Sequence, residues 1–214
     1  MLDATRIVAI RHGETAWNAE GRLQGQLDVP LNAVGRAQAA RLAQALGDEG
    51  LQAVVSSDLG RAWHTAQALA GPLGLPLQAE PGLRERGFGA LQGLRYDEIR
   101  ERWPELAERW RRRDLEFAAP DGGESLPQFS ARVLAAVERA AGAHAGGCIA
   151  LVCHGGVLDC LYRAATRLAL DAPRSWQLGN ASINRLLHTP QGLSLVGWDD
   201  VAHLQDLGRD DDSA

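Results

Sequence analysis

Two apolar runs in this chain stop in the same way, and that repetition narrows the folds open to it. Ile7-Val8-Ala9-Ile10 ends at Arg11-His12-Gly13, and residues 147–153, the most apolar stretch of all, end at His154-Gly155-Gly156. Short apolar runs rich in β-branched residues read as buried strands. Strands buried on both faces belong to a parallel sheet covered by helices. In open α/β sheets, ligands sit just beyond the carboxyl ends of the strands. A histidine followed by glycine at two such ends therefore places two imidazoles at one edge of one sheet, where glycine lets a ligand approach the backbone.

The rest of the chain supplies helices for that sheet. Strand one covers 6–10. A segment rich in Gly, Asn and Asp runs to Asn32, which is placed to cap a helix over 33–46 whose apolar residues recur at Val34, Ala37, Leu42 and Leu46. Residues 51–55 form a second strand. Ser57 or Asp58 caps the helix that follows, reaching Ala70, and 77–80 is a third strand. Residues 81–124 break the alternation. They are glycine-rich as far as Arg95, then give two short helices split by Pro104, dense in Arg, Glu and Trp and expected to be exposed. A helix over 125–141 precedes the second His-Gly strand, and another covers 157–168. Residues 182–189 and 193–198 flank Pro190-Gln191-Gly192 as a hairpin. The tail from Asp199, ending in Asp210-Asp211-Asp212, is expected to fray. The expected fold class is α/β, a three-layer α/β/α sandwich around a mixed, mostly parallel sheet. It forms one domain over 1–214, with 81–124 as a lid over the site.

Composition removes several chemistries. All 22 basic residues are Arg, with no Lys anywhere. No side-chain Schiff base and no P-loop lysine is possible, so an anion site must use Arg, His or backbone N–H groups. A net charge of -5 argues against a nucleic-acid binder that relies on bulk charge. Cys148, Cys153 and Cys160 are odd in number and form no C-x-x-C pair, which suits buried thiols in a reducing, cytoplasmic setting. No membrane span is expected. The first strand begins too early to leave room for a signal peptide.

Strands one and four and the helix after strand two deliver Arg11, His12, Arg61 and His154 to the same edge. Two guanidiniums and two imidazoles around one spot suit a tetrahedral dianion. Gly155 and Gly156 open a helix whose free N–H groups can face that anion. A neutral imidazole can attack phosphorus in line while positive groups hold the equatorial oxygens. A poor alkoxide leaving group then needs an acid. Glu85, in a glycine-rich loop, is best placed; to act it must carry a proton, against the influence of Arg84 and Arg86. The other chemistry open to these residues, a metal held by His12, His154, Asp58 and Glu85, lacks ligand spacing and would set arginines beside a cation. His64, His144, His188 and His203 are isolated and draw no role. Trp103, Trp110 and Phe117 are expected to pack.

Arg11-His12-Gly13-Glu14-Thr15 with Trp17-Asn18 resembles the signature of the histidine phosphatase superfamily, the phosphoglycerate-mutase-like fold. The likeness continues through Ser57-Asp58-Leu59, Arg61-Ala62, Thr65-Ala66, Leu83-Arg84-Glu85, Gly123-Glu124-Ser125 and Val152-Cys153-His154-Gly155-Gly156, in the family's order. It implies chemistry without metal or cofactor. His12 would be the phosphorylated nucleophile, Arg11, Arg61 and His154 phosphate ligands, and Glu85 the proton donor. It also implies that Asn18, Gln24 and Gly25 line the phosphate pocket, next to Gly155. Ser57 and Thr65 are left as a helix cap and a packing residue.

Within the family, the Gly89–Leu94 loop and Trp110-Arg111-Arg112-Arg113 resemble mutases. The short path to Asp121-Gly122-Gly123-Glu124, Gly156 where mutases have Asn, and Asn180-Ala181-Ser182-Ile183-Asn184 resemble phosphatases. A shorter lid admits water, which favours hydrolysis. The implied function is a phosphatase acting on phosphomonoesters of small metabolites through a phosphohistidine. The alternatives are a bisphosphate-dependent phosphoglycerate mutase and a non-catalytic binder of phosphorylated ligands. The implied partner is a small phosphorylated metabolite, with no nucleic acid and no membrane, and the protein is a monomer or homodimer.

Overall fold

The computed structural model describes residues 4–205 and 207. A six-stranded sheet runs through its centre in the order β3-β2-β4-β1-β5-β6. The strands are β1 (Thr5–Arg11), β2 (Ala53–Ser56), β3 (Leu77–Ala79), β4 (Cys148–Cys153), β5 (Ile183–Thr189) and β6 (Gly192–Asp200). β1, β2, β3 and β4 are mutually parallel, and the β5–β6 hairpin adds antiparallel to β1. The two His-Gly strands, β1 and β4, are thus central neighbours, which is why they are apolar on both faces. β4 is buried at every position.

Alternate residues of these strands feed two separate cores. Ile7, Ala9, Ile149, Leu151 and Cys153 pack with Phe129, Val133, Val137, Val157 and Leu161 of α6 (Leu126–Ala143) and α7 (Gly155–Thr166). Val8, Ile10, Ala150 and Val152 pack on the other side with Leu42, Ala62, Ala66 and Leu69 of α2 (Ala33–Ala45) and α3 (Gly60–Leu73). That is the expected three-layer sandwich. Each fully buried aliphatic side chain contributes roughly 1.5–3 kcal/mol, so the two-sided burial anchors β1 and β4 firmly.

Helix ends follow local chemistry. Asn32 caps α2 by accepting the Gly35 N–H at 2.7 Å, and Ser125 and Gln128 form a capping box on α6. The helix after β2 departs from expectation. It begins at Gly60 with no side-chain cap and runs to Leu73 before Gly74 stops it in the left-handed region. Ser57 and Asp58 do not cap it because their side chains face His154 and Arg84 instead. Within the Gly-, Asn- and Asp-rich segment after β1, a Thr15–Asn18 capping box holds a four-residue helix, α1 (Ala16–Ala19).

Residues 81–124 carry the helices α4 (Tyr96–Arg102) and α5 (Pro104–Arg111). Most residues of these two helices are exposed, as expected, but Ile99 and Ala107 turn inward. Leu91, Ile99, Ala107, Phe117 and Ala119 form a small core of their own, with Phe88 and Trp110 packed against it. The charged faces of α4 and α5 point outward, as their composition suggested. The tail also differs from expectation. Asp199 is fixed in β6, accepting the Gly179 N–H at 2.9 Å, and a 3-10 turn covers Ala202–Leu204. The aspartate run at 210–212 lies outside the described residues. Among the described residues no helix is long and apolar enough to cross a membrane.

Where the chain leaves β1 it passes the first turn of α2 at backbone distance. A Cβ on Gly35 would lie 2.0 Å from the Glu14 carbonyl oxygen, and one on Gly13 would lie 2.3 Å from the Gly35 carbonyl oxygen. Backbone cannot yield as the tip of a side chain can. Gly35→Ala is therefore expected to lower stability by about 1–3 kcal/mol, the usual range for overpacking. The urea unfolding midpoint measures this, and an unchanged midpoint would refute the contact.

Candidate active site

Parallel register brings the carboxyl ends of β1, β2 and β4 to one edge. Arg11 stands opposite Cys153, and Ser56 opposite Val152. His12 and His154 each follow the last residue of a strand, so they become neighbours, with ring centroids 5.1 Å apart. Arg61, in the first turn of α3, reaches the same place. His12, Arg61 and His154 are all buried.

The hydrogen bonds of His12 settle which of its nitrogens carries the proton. Nδ1 lies 2.7 Å from the Gly13 carbonyl oxygen. A carbonyl only accepts, so Nδ1 holds the proton and Nε2 presents a lone pair. The Arg61 Nε–H points at that lone pair from 3.3 Å. Arg61 also donates to the carbonyls of Gly25 at 2.7 Å and Leu27 at 2.8 Å, which ties it to the loop carrying Gln24. Arg11 donates to the Leu178 carbonyl, and its Nε is buried without a partner. Among the described residues no carboxylate pairs with either guanidinium. His154 Nε2 lies 2.8 Å from the Ser57 hydroxyl, while its Nδ1 is buried and unpartnered, as is Gln24 Oε1. Unpaired buried polar atoms are costly and rare. Several around one cavity describe a site built for a polar ligand.

Burial, followed by the charges of Arg61 and Arg11, holds the His12 imidazole well below its ordinary value of 6.5. Burial acts likewise on His154, with Arg61 and His12 adding to it. Both rings are therefore neutral at physiological pH. Burial pushes Arg61 down to about 10, which still leaves it cationic.

Glu85 follows the 3-10 turn Pro81–Leu83. Its carboxylate accepts the Arg86 N–H at 2.8 Å and the Gly156 N–H at 3.0 Å. The Gly156 N–H, expected to face an anion, is thus already engaged by Glu85. The approach needs glycine, since a Cβ there would lie 2.2 Å from Glu85 Oε1. Neither flanking arginine takes the Glu85 carboxylate as its partner. Arg84 pairs with Asp58 at 2.7 Å, and Arg86 donates to the carbonyls of Glu124 and Phe117. The pairing with Arg84 also withdraws Asp58 from His12 and His154. Among the described residues no cluster of three or more His, Cys, Asp or Glu could hold a metal.

Arg11, His12, Asn18, Gln24, Gly25, Arg61, Glu85 and Gly155 line one cavity of about 440 Å³, and the His154 ring, which is not among its lining residues, packs against His12. The far wall is made by Arg86, Phe88, Trp110 and Arg113 of the 81–124 segment, expected as a lid, and by Arg174 and Trp176, which the sequence did not mark. Arg174 and Trp176 come from the irregular stretch between α7 and β5, which has no periodicity to read. Trp110, expected only to pack, packs on Phe88 and Tyr96 and lines the cavity as well. Ser57, taken for a helix cap, touches His154. Thr65, taken for packing, accepts the Gly13 N–H at 3.1 Å.

The neutral imidazoles have a consequence for stability. In the unfolded chain they titrate near 6.5, and in the folded protein well below it. Between those values the unfolded state binds more protons, so stability falls as pH falls below about 6.5. Each such imidazole contributes a slope of at most about 1.4 kcal/mol per pH unit. Urea unfolding of the ligand-free protein between about pH 5.5 and 7.5 should show this slope, with His12→Asn removing one share. Equal slopes for the two proteins would contradict a buried neutral His12.

Residues 7–201 match the model of the histidine phosphatase superfamily, branch 1. A metal-independent phosphoserine phosphatase of Arabidopsis thaliana is 41% identical over 208 residues, covering 96% of this chain and 86% of the plant protein. Phosphoglycerate mutase-like protein 4 of the same plant is 40% identical over 210 residues, covering 97% of this chain and 90% of its own. The solved structure of a mycobacterial glucosyl-3-phosphoglycerate phosphatase superimposes with a TM-score of 0.81 at 34% identity, covering 92% of this chain and 99% of that one. Two His-Gly strand ends, two arginines beside them and a carboxylate across the cavity accord with that likeness along nearly the whole chain, and the protein belongs to the histidine phosphatase superfamily.

Proposed function

We propose that this protein is a phosphatase that hydrolyses phosphomonoesters of small metabolites through a phosphohistidine on His12, without a metal. The observation that carries this is the state of His12: its proton is fixed on Nδ1 by the Gly13 carbonyl, leaving Nε2 as a lone pair inside a cationic pocket. Arg11 and Arg61 hold the phosphoryl oxygens, with Asn18, Gln24, Gly25 and Gly155 completing the wall and His154, packed against His12, offering its unpartnered Nδ1 from outside the lining. The arginines supply the positive charge that a metal would otherwise bring.

The reaction runs in two steps. The Nε2 lone pair attacks phosphorus and forms the P–N bond as the ester P–O bond breaks. The leaving oxygen takes that electron pair and a proton from the Glu85 carboxyl. Water then attacks the phosphohistidine and gives a proton to the Glu85 carboxylate. The P–N electron pair returns to Nε2 and inorganic phosphate departs. Glu85 ends protonated, as it began.

The far wall bears on the substrate. The Arg86 guanidinium is buried and donates only to carbonyl oxygens, and Arg174 faces the same space, while Arg113 there is paired with Asp159 at 2.7 Å. A substrate with a second anionic group a few bonds from its phosphate fits this charge, as phosphoserine does. Residues 81–124 act as the lid of a single domain, and the three free, buried cysteines suit a reducing, cytoplasmic setting. The mutase reading requires water to be kept from the phosphohistidine. Exchange between 2- and 3-phosphoglycerate faster than hydrolysis would favour it.

Hydrolysis of p-nitrophenyl phosphate should persist in EDTA and fall by about 10³-fold or more in His12→Ala. Acid-labile, base-stable phosphate should be trapped on the wild type alone. Full activity in His12→Ala overturns the mechanism. Arg174→Ala should raise KM for phosphoserine by up to about tenfold, the worth of one exposed charged contact, with little change for p-nitrophenyl phosphate. Equal changes on both substrates would remove the second-anion assignment.

A further inference from the structure

Glu85 rides on a loop, residues 81–87, whose only regular structure is one 3-10 turn. A reacting carboxylate must be held to within about 0.5 Å by its surroundings. The rigidity comes from outside the cavity. Arg132, on α6, donates through Nη1 to the carbonyls of Gly82 at 2.9 Å and Arg84 at 3.0 Å. Its Nη2 donates to the Glu85 carbonyl at 3.3 Å and to Glu124 Oε2 at 2.7 Å, and its Nε to Glu124 Oε1 at 2.8 Å. A guanidinium has five N–H groups, and every one of them is used.

Glu124 grips the other end of the loop. Its Oε2 also accepts the Gly87 N–H at 2.8 Å, and its backbone N–H donates to the Gly87 carbonyl at 2.9 Å. Burial works against its charge, but the hydrogen bonds from Arg132 and Gly87 outweigh this and hold the carboxyl below its ordinary range. The loop is therefore held at 82, 84 and 85 on one side and at 87 on the other. Between those points the Glu85 side chain is aimed across the cavity to Gly156. Phe129 lies under the Arg132 guanidinium at 5.1 Å and lines the cavity beside Gly156. Neither Arg132 nor Glu124 lines the cavity.

We propose that the Arg132–Glu124 pair is a positioning device that sets the Glu85 carboxyl for proton transfer to the leaving group. This rests on Glu85 being the proton donor. Lysine cannot replace Arg132, because three donors on one nitrogen cannot span five acceptors.

The test uses two esters. Glycerol 2-phosphate leaves as an alkoxide and needs a proton; p-nitrophenyl phosphate leaves as a stabilised phenolate and scarcely does. Arg132→Ala, Arg132→Lys and Glu124→Gln should lower kcat for glycerol 2-phosphate by about 10–100-fold, the order of a misplaced general acid. The loss on p-nitrophenyl phosphate should be a few-fold. In a Glu85→Gln background the same substitutions should cost nothing further, since both act through one group. Thermal unfolding checks that each variant is folded, and Glu124→Gln, which keeps the side-chain shape, carries the test should Arg132→Ala fail to fold. Equal losses on both esters, or losses that add to those of Glu85→Gln, overturn the proposal. Glu85→Gln without a selective loss on glycerol 2-phosphate removes the proton-donor assignment and the positioning role with it. A selective loss in Glu85→Gln that the Arg132 and Glu124 variants lack overturns the positioning role alone.

Discussion

An imidazole buried between two guanidiniums can stay there only without charge, and much of this structure serves that condition. His12 is enclosed by Arg61 and Arg11, and burial with those charges keeps its ring neutral. The Gly13 carbonyl then decides which nitrogen keeps the proton. Neutrality and tautomer together leave one lone pair pointing into the cavity. Among the described residues the same two arginines that suppress protonation have no carboxylate partner, so they remain available to an anion. One arrangement thus prepares the proposed nucleophile and the place where its target would rest.

The fold makes this affordable. β1 and β4 are buried on both faces by separate cores, so their ends stay in register even with unpaired polar atoms beside them. The close backbone crossing at Gly13 and Gly35 fixes the exit from β1 without any side chain. Across the cavity, Glu85 has no strand to hold it. Its loop borrows rigidity from α6 through Arg132 and from Glu124. The two sides of the site are therefore secured differently, one by sheet register and the other by a charge-assisted hydrogen-bond network.

Much of this was legible in the sequence. The strands ending in His12 and His154, the arginines at 11 and 61 and the carboxylate at 85 are each marked by a local break in pattern: an apolar run stopping at a charge, or a charge within a glycine-rich loop. Other residues of the site carry no such break. Ser57 looks like an ordinary helix cap, and only the position of His154 shows where its hydroxyl goes. Arg174 and Trp176 sit in an aperiodic stretch whose path is set by contacts distant in sequence. The helices at 96–111 are exposed, as their charged composition implies, but the narrow apolar stripe of Ile99 and Ala107 that seats them was too short to stand out.

By itself the sequence determined the layered α/β architecture and the inventory of chemical groups at its strand ends. Those follow from periodicity and from the abrupt placement of polar residues after apolar runs, which are local properties of a chain. Only the tertiary structure decided how the groups are presented: the tautomer of His12, the turning of Arg84 toward Asp58 and away from Glu85, the seating of Glu85 on Gly156, and the hold of Arg132 on the loop. The last three depend on partners tens of residues away, and the first on the direction that the folded backbone gives the neighbouring Gly13 carbonyl. Hydrogen bonds are directional and act only over a few ångströms, so their partners are chosen after the chain has folded.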